Sequence, residues 1–131
     1  MTSVAELVRS SPTDLPVDEK LLIETIELLY DGAATCTACA DACIAENEPH
    51  CAATCLNCAD ICFTTARILS RATGFDADTT RAVLTACEQT CRTCAEHCER
   101  HAEQYEHCRV CAESCRRRAD ACHRLIDALA A

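Results

Sequence analysis

The chain has 131 residues, a formal charge of -9 at pH 7, fifteen Cys, and aromatic content limited to two Phe and two Tyr. A chain of this length fits one domain. Its acidic balance disfavours nucleic acid, whose binders present basic patches, and no run of about 20 apolar residues offers a membrane span. Cysteine makes up about 11 per cent of the residues, which in a small secreted protein would signal a disulfide framework. Against that, "MTSVAELVRSSPTDLPVDEK" has neither a basic start followed by an apolar run nor a twin arginine, and the cysteine number is odd. The expectation is a cytoplasmic chain whose thiols stay reduced unless a metal or a redox cycle uses them.

In chain order, residues 1–17 are expected to form an N-terminal segment, partly ordered or a short helix, ahead of a four-helix bundle domain over 18–131. Pro16 and Asp18 mark the start of a helix running to about 46, "ENEPH" ends it, and Pro49 suits the first turn of the next. Gly74 is placed to close that second helix, and Asp76 or Asp78 to cap the third. The stretch "ERHAEQYEH" at 99–107 holds neither Gly nor Pro. A single helix running through it would leave its own cysteines unburied, so a tight turn is expected near 102–106. The fold class expected is all-α, an up-down-up-down antiparallel four-helix bundle with a cysteine-lined core.

One unit, Cys-x-x-Cys-Ala-(Asp/Glu)-x-Cys, occurs four times: "CTACADAC" (Cys36, Cys39, Cys43), "CLNCADIC" (Cys55, Cys58, Cys62), "CRTCAEHC" (Cys91, Cys94, Cys98) and "CRVCAESC" (Cys108, Cys111, Cys115). Cys51 and Cys87 precede the second and third units by four residues, and Cys122 follows the fourth by seven. At about 100° per residue, positions 0, 4, 7 and 11 of a helix fall within a strip about 60° wide. Units one and three lie in the C-terminal halves of their helices and units two and four in the N-terminal halves, so all four converge on one end. The other end carries Leu22, Ile26, Leu29, Ile68, Leu69, Val83, Leu84, Leu125, Ile126 and Leu129, an ordinary apolar plug. Cys108 to Cys122 alone spans about 21 Å of helix, so the thiol zone is a tube rather than a point.

A free core cysteine needs no explanation singly, but that does not account for fifteen facing one another. Cysteines at i, i+3 and i+4 of one helix are poorly placed for bridging within it. Iron–sulfur clusters usually gather cysteines from loops followed by Pro or Gly, and closed zinc sites draw four ligands to a point. A redox thiol wants low pKa at a helix start beside basic groups. Copper(I) is soft, is satisfied by two or three thiolates and shares them with neighbours, which gives a capacity of about one ion per thiolate, or about 15. Monovalent ions in that number also cancel the thiolate charge. No nucleophile is paired with a positioned base, so no enzyme is expected. A thiol redox protein and a zinc or iron–sulfur protein remain the competing readings.

With four such units, one on every helix, the chain resembles the bacterial copper storage proteins, specifically their cytosolic branch, over about residues 18–130. The exported branch carries a twin-arginine signal and methionines at the bundle mouth; here the only Met is Met1. The resemblance implies storage of many Cu(I) ions per chain, a homotetramer, and histidines at the mouth, a position matched by His101 and His107 with Tyr105 between them. Those two join the fifteen cysteines as expected metal ligands, since neutral imidazole accepts copper. His50 lies at the same end as a secondary candidate. His97 and His123 fall off the strip and are expected at the surface. Asp41, Asp60, Glu96 and Glu113 repeat in the four units as outward groups. Arg118 stands three residues after Cys115, where the next strip residue is due, and is expected at a helix seam or a subunit interface.

Overall fold

The Asp18 carboxylate accepts a hydrogen bond from the Leu21 backbone N–H (2.9 Å) and so starts α2 (Glu19–Ala45), the first long helix. The structure is a computed structural model and is described for residues 2–13 and 15–130. Ahead of α2 lies a short helix, α1 (Ser3–Ser10), capped by Thr2, whose hydroxyl accepts from the Ala5 N–H (3.1 Å). The buried Ala5 seats α1 on α2, and Thr2 Oγ1 donates to Glu27 (2.6 Å).

α2 ends in a Schellman turn. Asn47 takes up φ 58, a left-handed conformation that Asn tolerates better than most side chains. The Asn47 N–H reaches the Ile44 carbonyl (3.1 Å) and the Glu48 N–H reaches that of Cys43 (2.8 Å), the two bonds that close such a turn. α3 (Pro49–Leu69) then starts on Pro49, whose missing N–H costs nothing at that position.

Gly74 does not close α3. The Ser70 hydroxyl donates to the Ala66 carbonyl (2.7 Å) and the Arg71 N–H to Ile68 O (3.1 Å), and the helix stops at Leu69. Gly74 instead ends a separate 3-10 turn, Ala72–Gly74. Asp76 rather than Asp78 caps α4 (Ala77–Glu99), accepting from the Thr79 N–H (2.8 Å). The turn before α5 (Glu106–Ala130) occupies residues 100–105 and is closed through the His101 carbonyl, which accepts from the Gln104 (3.1 Å) and Tyr105 (2.9 Å) N–H groups.

All regular structure among the described residues is helical. The four long helices share one core: α2 packs on α3 and α5, and α4 packs on α5 and α3. Among the described residues no helix is long and apolar enough to cross a membrane. At one end of the core Leu22, Ile26, Leu29, Leu69, Leu84 and Leu125 are buried, while Ile68, Val83, Ile126 and Leu129 are half-buried at its edge. Thr25 and Thr65 are buried there too, their hydroxyls satisfied by the carbonyls of Leu21 (2.8 Å) and Ile61 (2.7 Å) on their own helices. Beyond this plug the core changes from carbon to sulfur.

Candidate metal centre

All fifteen cysteines are free and buried, because the 3.6-residue period lays each row along the inward face of its helix. The sulfurs fall into groups whose donor atoms lie within 4.8 Å of one another: Cys39, Cys43 and Cys108 with His107; Cys39, Cys55, Cys98 and Cys111; Cys36, Cys94, Cys111 and Cys115; and Cys58, Cys62 and Cys91. Cys87 extends the series, with Sγ 3.9 Å from Cys62 Sγ. Cys39 belongs to the first two groups and Cys111 to the second and third, so neighbouring groups are joined through shared sulfurs.

The spacing has a direct chemical meaning. Sulfur–sulfur distances run from 3.6 Å (Cys62–Cys91) through 3.8 Å (Cys36–Cys111, Cys55–Cys98, Cys58–Cys91) to 4.0 Å (Cys111–Cys115). A metal–sulfur bond of about 2.3 Å puts the sulfurs of a tetrahedral site about 3.8 Å apart and those of a trigonal site about 4.0 Å apart. The thiols therefore already stand at ligand separation. Burial is the first cause that pushes Cys43, Cys51 and Cys108 up from the ordinary thiol value of 9.0, Cys108 to about 11, with Cys51 adding to the rise at Cys108. Cys58 and Cys111 are held below it by the neighbouring thiols, Cys115 first and then Cys36.

At the end nearest the first and third turns, His107 Nδ1 sits 3.2 Å from Cys39 Sγ and 3.6 Å from Cys108 Sγ. Its other nitrogen, Nε2, is 2.6 Å from Glu46 Oε1. A proton held on Nε2 by that carboxylate leaves Nδ1 as the free lone pair facing the sulfurs, the arrangement in which a carboxylate orients a ligating imidazole. The Schellman turn at Asn47 places Glu46, and no pattern in the cysteine units pointed to it. His101 lies in the turn, half-buried, outside the groups of close donor atoms. His50 is exposed, yet its ring lies 4.9 Å from that of His97, which is half-buried rather than a plain surface residue. Burial, then Arg100 and His50, push the His97 pKa down. His123 is exposed, facing Glu88 and Asp127.

Arg118 lies neither at a solvent-facing seam nor on an outer face: it is 0% exposed, inside the sulfur core. Its Nη2 donates to Cys36 Sγ (2.9 Å) and Cys115 Sγ (3.0 Å) and lies 3.6 Å from Cys58 Sγ, while Nη1 donates to Ser114. Nε, also buried, has no hydrogen-bond partner. Burial works to lower the Arg118 pKa, but the negative potential of Cys36, Cys115, Cys62 and Cys91 outweighs it and holds the group above its usual value. Space for the side chain comes from α2. A Cβ on Gly32 would stand 2.1 Å from Arg118 Cδ and 2.3 Å from Nε, so only glycine leaves this notch.

The family model described as "Copper storage protein" matches residues 18–127. The chain belongs to the copper storage protein family. No curated protein matches it, but solved structures do. The structure of the copper storage protein Ccsp from Streptomyces lividans, loaded with 10 copper equivalents, is 46% identical with a TM-score of 0.92, over 96% of this chain and 99% of that one. A histidine-to-alanine variant of the same protein matches at 46% identity and TM-score 0.84, over 88% and 99%. A third structure, described as a cytosolic copper storage protein from S. lividans with five coppers, matches at 46% and 0.79, over 82% and 93%. In this member of the copper storage family, the resemblance seen in the cysteine units is thus met by family and by structure.

Proposed function

We propose that the chain is a cytosolic store for copper(I), holding many ions per chain in its sulfur core and performing no catalysis. The observation that carries this is the sharing of Cys39 and Cys111 between adjacent donor groups. A zinc site is complete with four ligands of its own, whereas Cu(I) takes two or three thiolates and tolerates bridging sulfurs. The relative loaded with 10 copper equivalents, and the description of that protein as cytosolic, support the reading for this chain.

In this proposal all fifteen cysteines are ligands and His107 serves the mouth, with His101 beside it in the turn. The helices α2 to α5 run up-down-up-down over residues 18–131, behind the N-terminal segment 1–17. Antiparallel order is supported by sulfur neighbours that reverse along α3 and α4: Cys55 is 3.8 Å from Cys98, and Cys62 is 3.9 Å from Cys87. Assembly as a homotetramer is part of the same proposal and rests on the family resemblance.

The test is an anaerobic titration of the reduced apoprotein with Cu(I) against a competing chelator, followed by sulfur-to-copper absorption in the ultraviolet. Uptake continuing to about 10–15 ions per chain, with helicity unchanged, is the expected result. Saturation at one or two ions, or loss of all copper to the chelator, overturns it.

A further inference from the structure

Fifteen buried cysteines suit a lattice of sulfur and copper, but the core also encloses a permanent cation. A guanidinium is among the most costly groups to bury and is found inside proteins only where negative or strongly accepting atoms surround it. Arg118 meets that condition through sulfur: Cys36 and Cys115 at 2.9 and 3.0 Å, and Cys58 at 3.6 Å. Salt-bridge partners for it are lacking among the described residues, and its Nε is left without a hydrogen bond. A structural arginine would be expected to find a carboxylate. The helix facing it gives up a side chain altogether at Gly32, on the inward row between Leu29 and Cys36, so that the guanidinium can lie among the thiols.

Resting on the storage reading above, we propose that Arg118 is a built-in cation of the thiolate lattice: its guanidinium occupies the place among Cys36, Cys58 and Cys115 where a copper(I) ion would otherwise bridge. The position suits that role. Cys36 and Cys115 belong to one donor group and Cys58 to the next, and Arg118 Nη2 reaches across the gap between them. Shared sulfurs link the first three groups, through Cys39 and Cys111, but no sulfur is shared across this gap. The guanidinium takes the place of that link. It compensates about one thiolate charge before any metal arrives.

The test compares saturating Cu(I) uptake, under chelator competition, in the wild-type chain, Arg118→Leu and Arg118→Lys, with helicity followed alongside. Arg118→Leu removes the charge and opens the position, so it is expected to bind about one more ion per chain than the wild type. Arg118→Lys keeps a cation there and is expected to match the wild type. Leucine and lysine variants that both saturate at the wild-type number overturn the proposal. So does a leucine variant that stays helical and binds fewer ions. Anomalous diffraction at the copper edge from copper-loaded wild-type crystals needs no variant. Arg118 in place with no copper bridging Cys58 to Cys36 or to Cys115 is expected; a copper on either bridge overturns the proposal. Should the wild type itself saturate at one or two ions, the storage reading fails, and this inference with it. If the wild type stores many ions and only the comparison of variants comes out flat, the storage reading stands and the role of Arg118 falls.

Discussion

Gly32→Ala is the substitution with the most informative sign. On a regular helix, replacing an interior Gly by Ala stabilises by about 1 kcal/mol. Here the new Cβ would lie 2.1 Å from Arg118 Cδ, 2.3 Å from Nε and 2.6 Å from Cζ. All three contacts are far inside van der Waals separation, and they fall on the middle of the side chain as well as on its tip. Relief has two routes. Withdrawing Arg118 abandons its bonds to Cys36 and Cys115, at about 1.5–3 kcal/mol each for bonds to a charged group. Spreading α2 from α5 costs about 1–3 kcal/mol, as overpacking generally does. The easier route, near the top of its range, gives about 3 kcal/mol; less the helix gain, the net loss is about 2 kcal/mol. For a domain of this size that lowers Tm by about 8 °C. The assay is thermal unfolding of the reduced apoprotein, followed by circular dichroism under anaerobic conditions. A Tm unchanged or raised would show that Arg118 does not rest in the Gly32 notch.

Glu46→Ala removes the carboxylate 2.6 Å from His107 Nε2 and is expected to slow Cu(I) uptake by about 10-fold, the scale of lost orientation at a ligating histidine, with total capacity unchanged; stopped-flow absorbance reads the rate, and equal rates refute the role. The Cys108 thiol, at about 11 when folded against 9.0 when free, stabilises the apoprotein fully below pH 9, and this contribution is lost as pH rises through about 11, because the unfolded chain loses its proton first. Alkaline titration of the reduced apoprotein should therefore show Tm falling above pH 9, and a rising Tm would contradict it. The same raised value means that copper displaces a proton at neutral pH, so Cu(I) affinity should fall as pH falls, measured as chelator competition at pH 6 and pH 8.

The parts of the fold legible in the sequence are those set by short-range chemistry. Asp18, Pro49 and Asp76 start helices through their own backbone and side-chain bonds, and the cysteine rows follow from periodicity alone. Gly74 misled because the Ser70 hydroxyl ends α3 first, and a serine at a helix end competes for carbonyls in a way that composition does not rank. The third turn was inferable only from burial, since residues 100–105 contain no Gly or Pro. At the site, the ligand-type side chains were visible one by one, but their pairing was not. Glu46 reaches His107 because the first and third turns meet in space. Arg118 was visibly in phase with its cysteine row, yet its destination depended on a glycine on another helix. The available signal was Gly32 itself, a residue with no side chain on the inward row between Leu29 and Cys36.

The core is built of two materials, and they respond differently to cargo. The aliphatic end owes its cohesion to buried leucine and isoleucine and needs no metal for it. The sulfur end has weaker cohesion of its own, since a thiol is smaller than leucine and buries less carbon. Empty, that end has only this weaker cohesion to hold its helices together. Filled as proposed, it would be cross-linked through metal and become the harder part. Copper is then cement as well as cargo, and each ion withdrawn loosens the wall around those that remain.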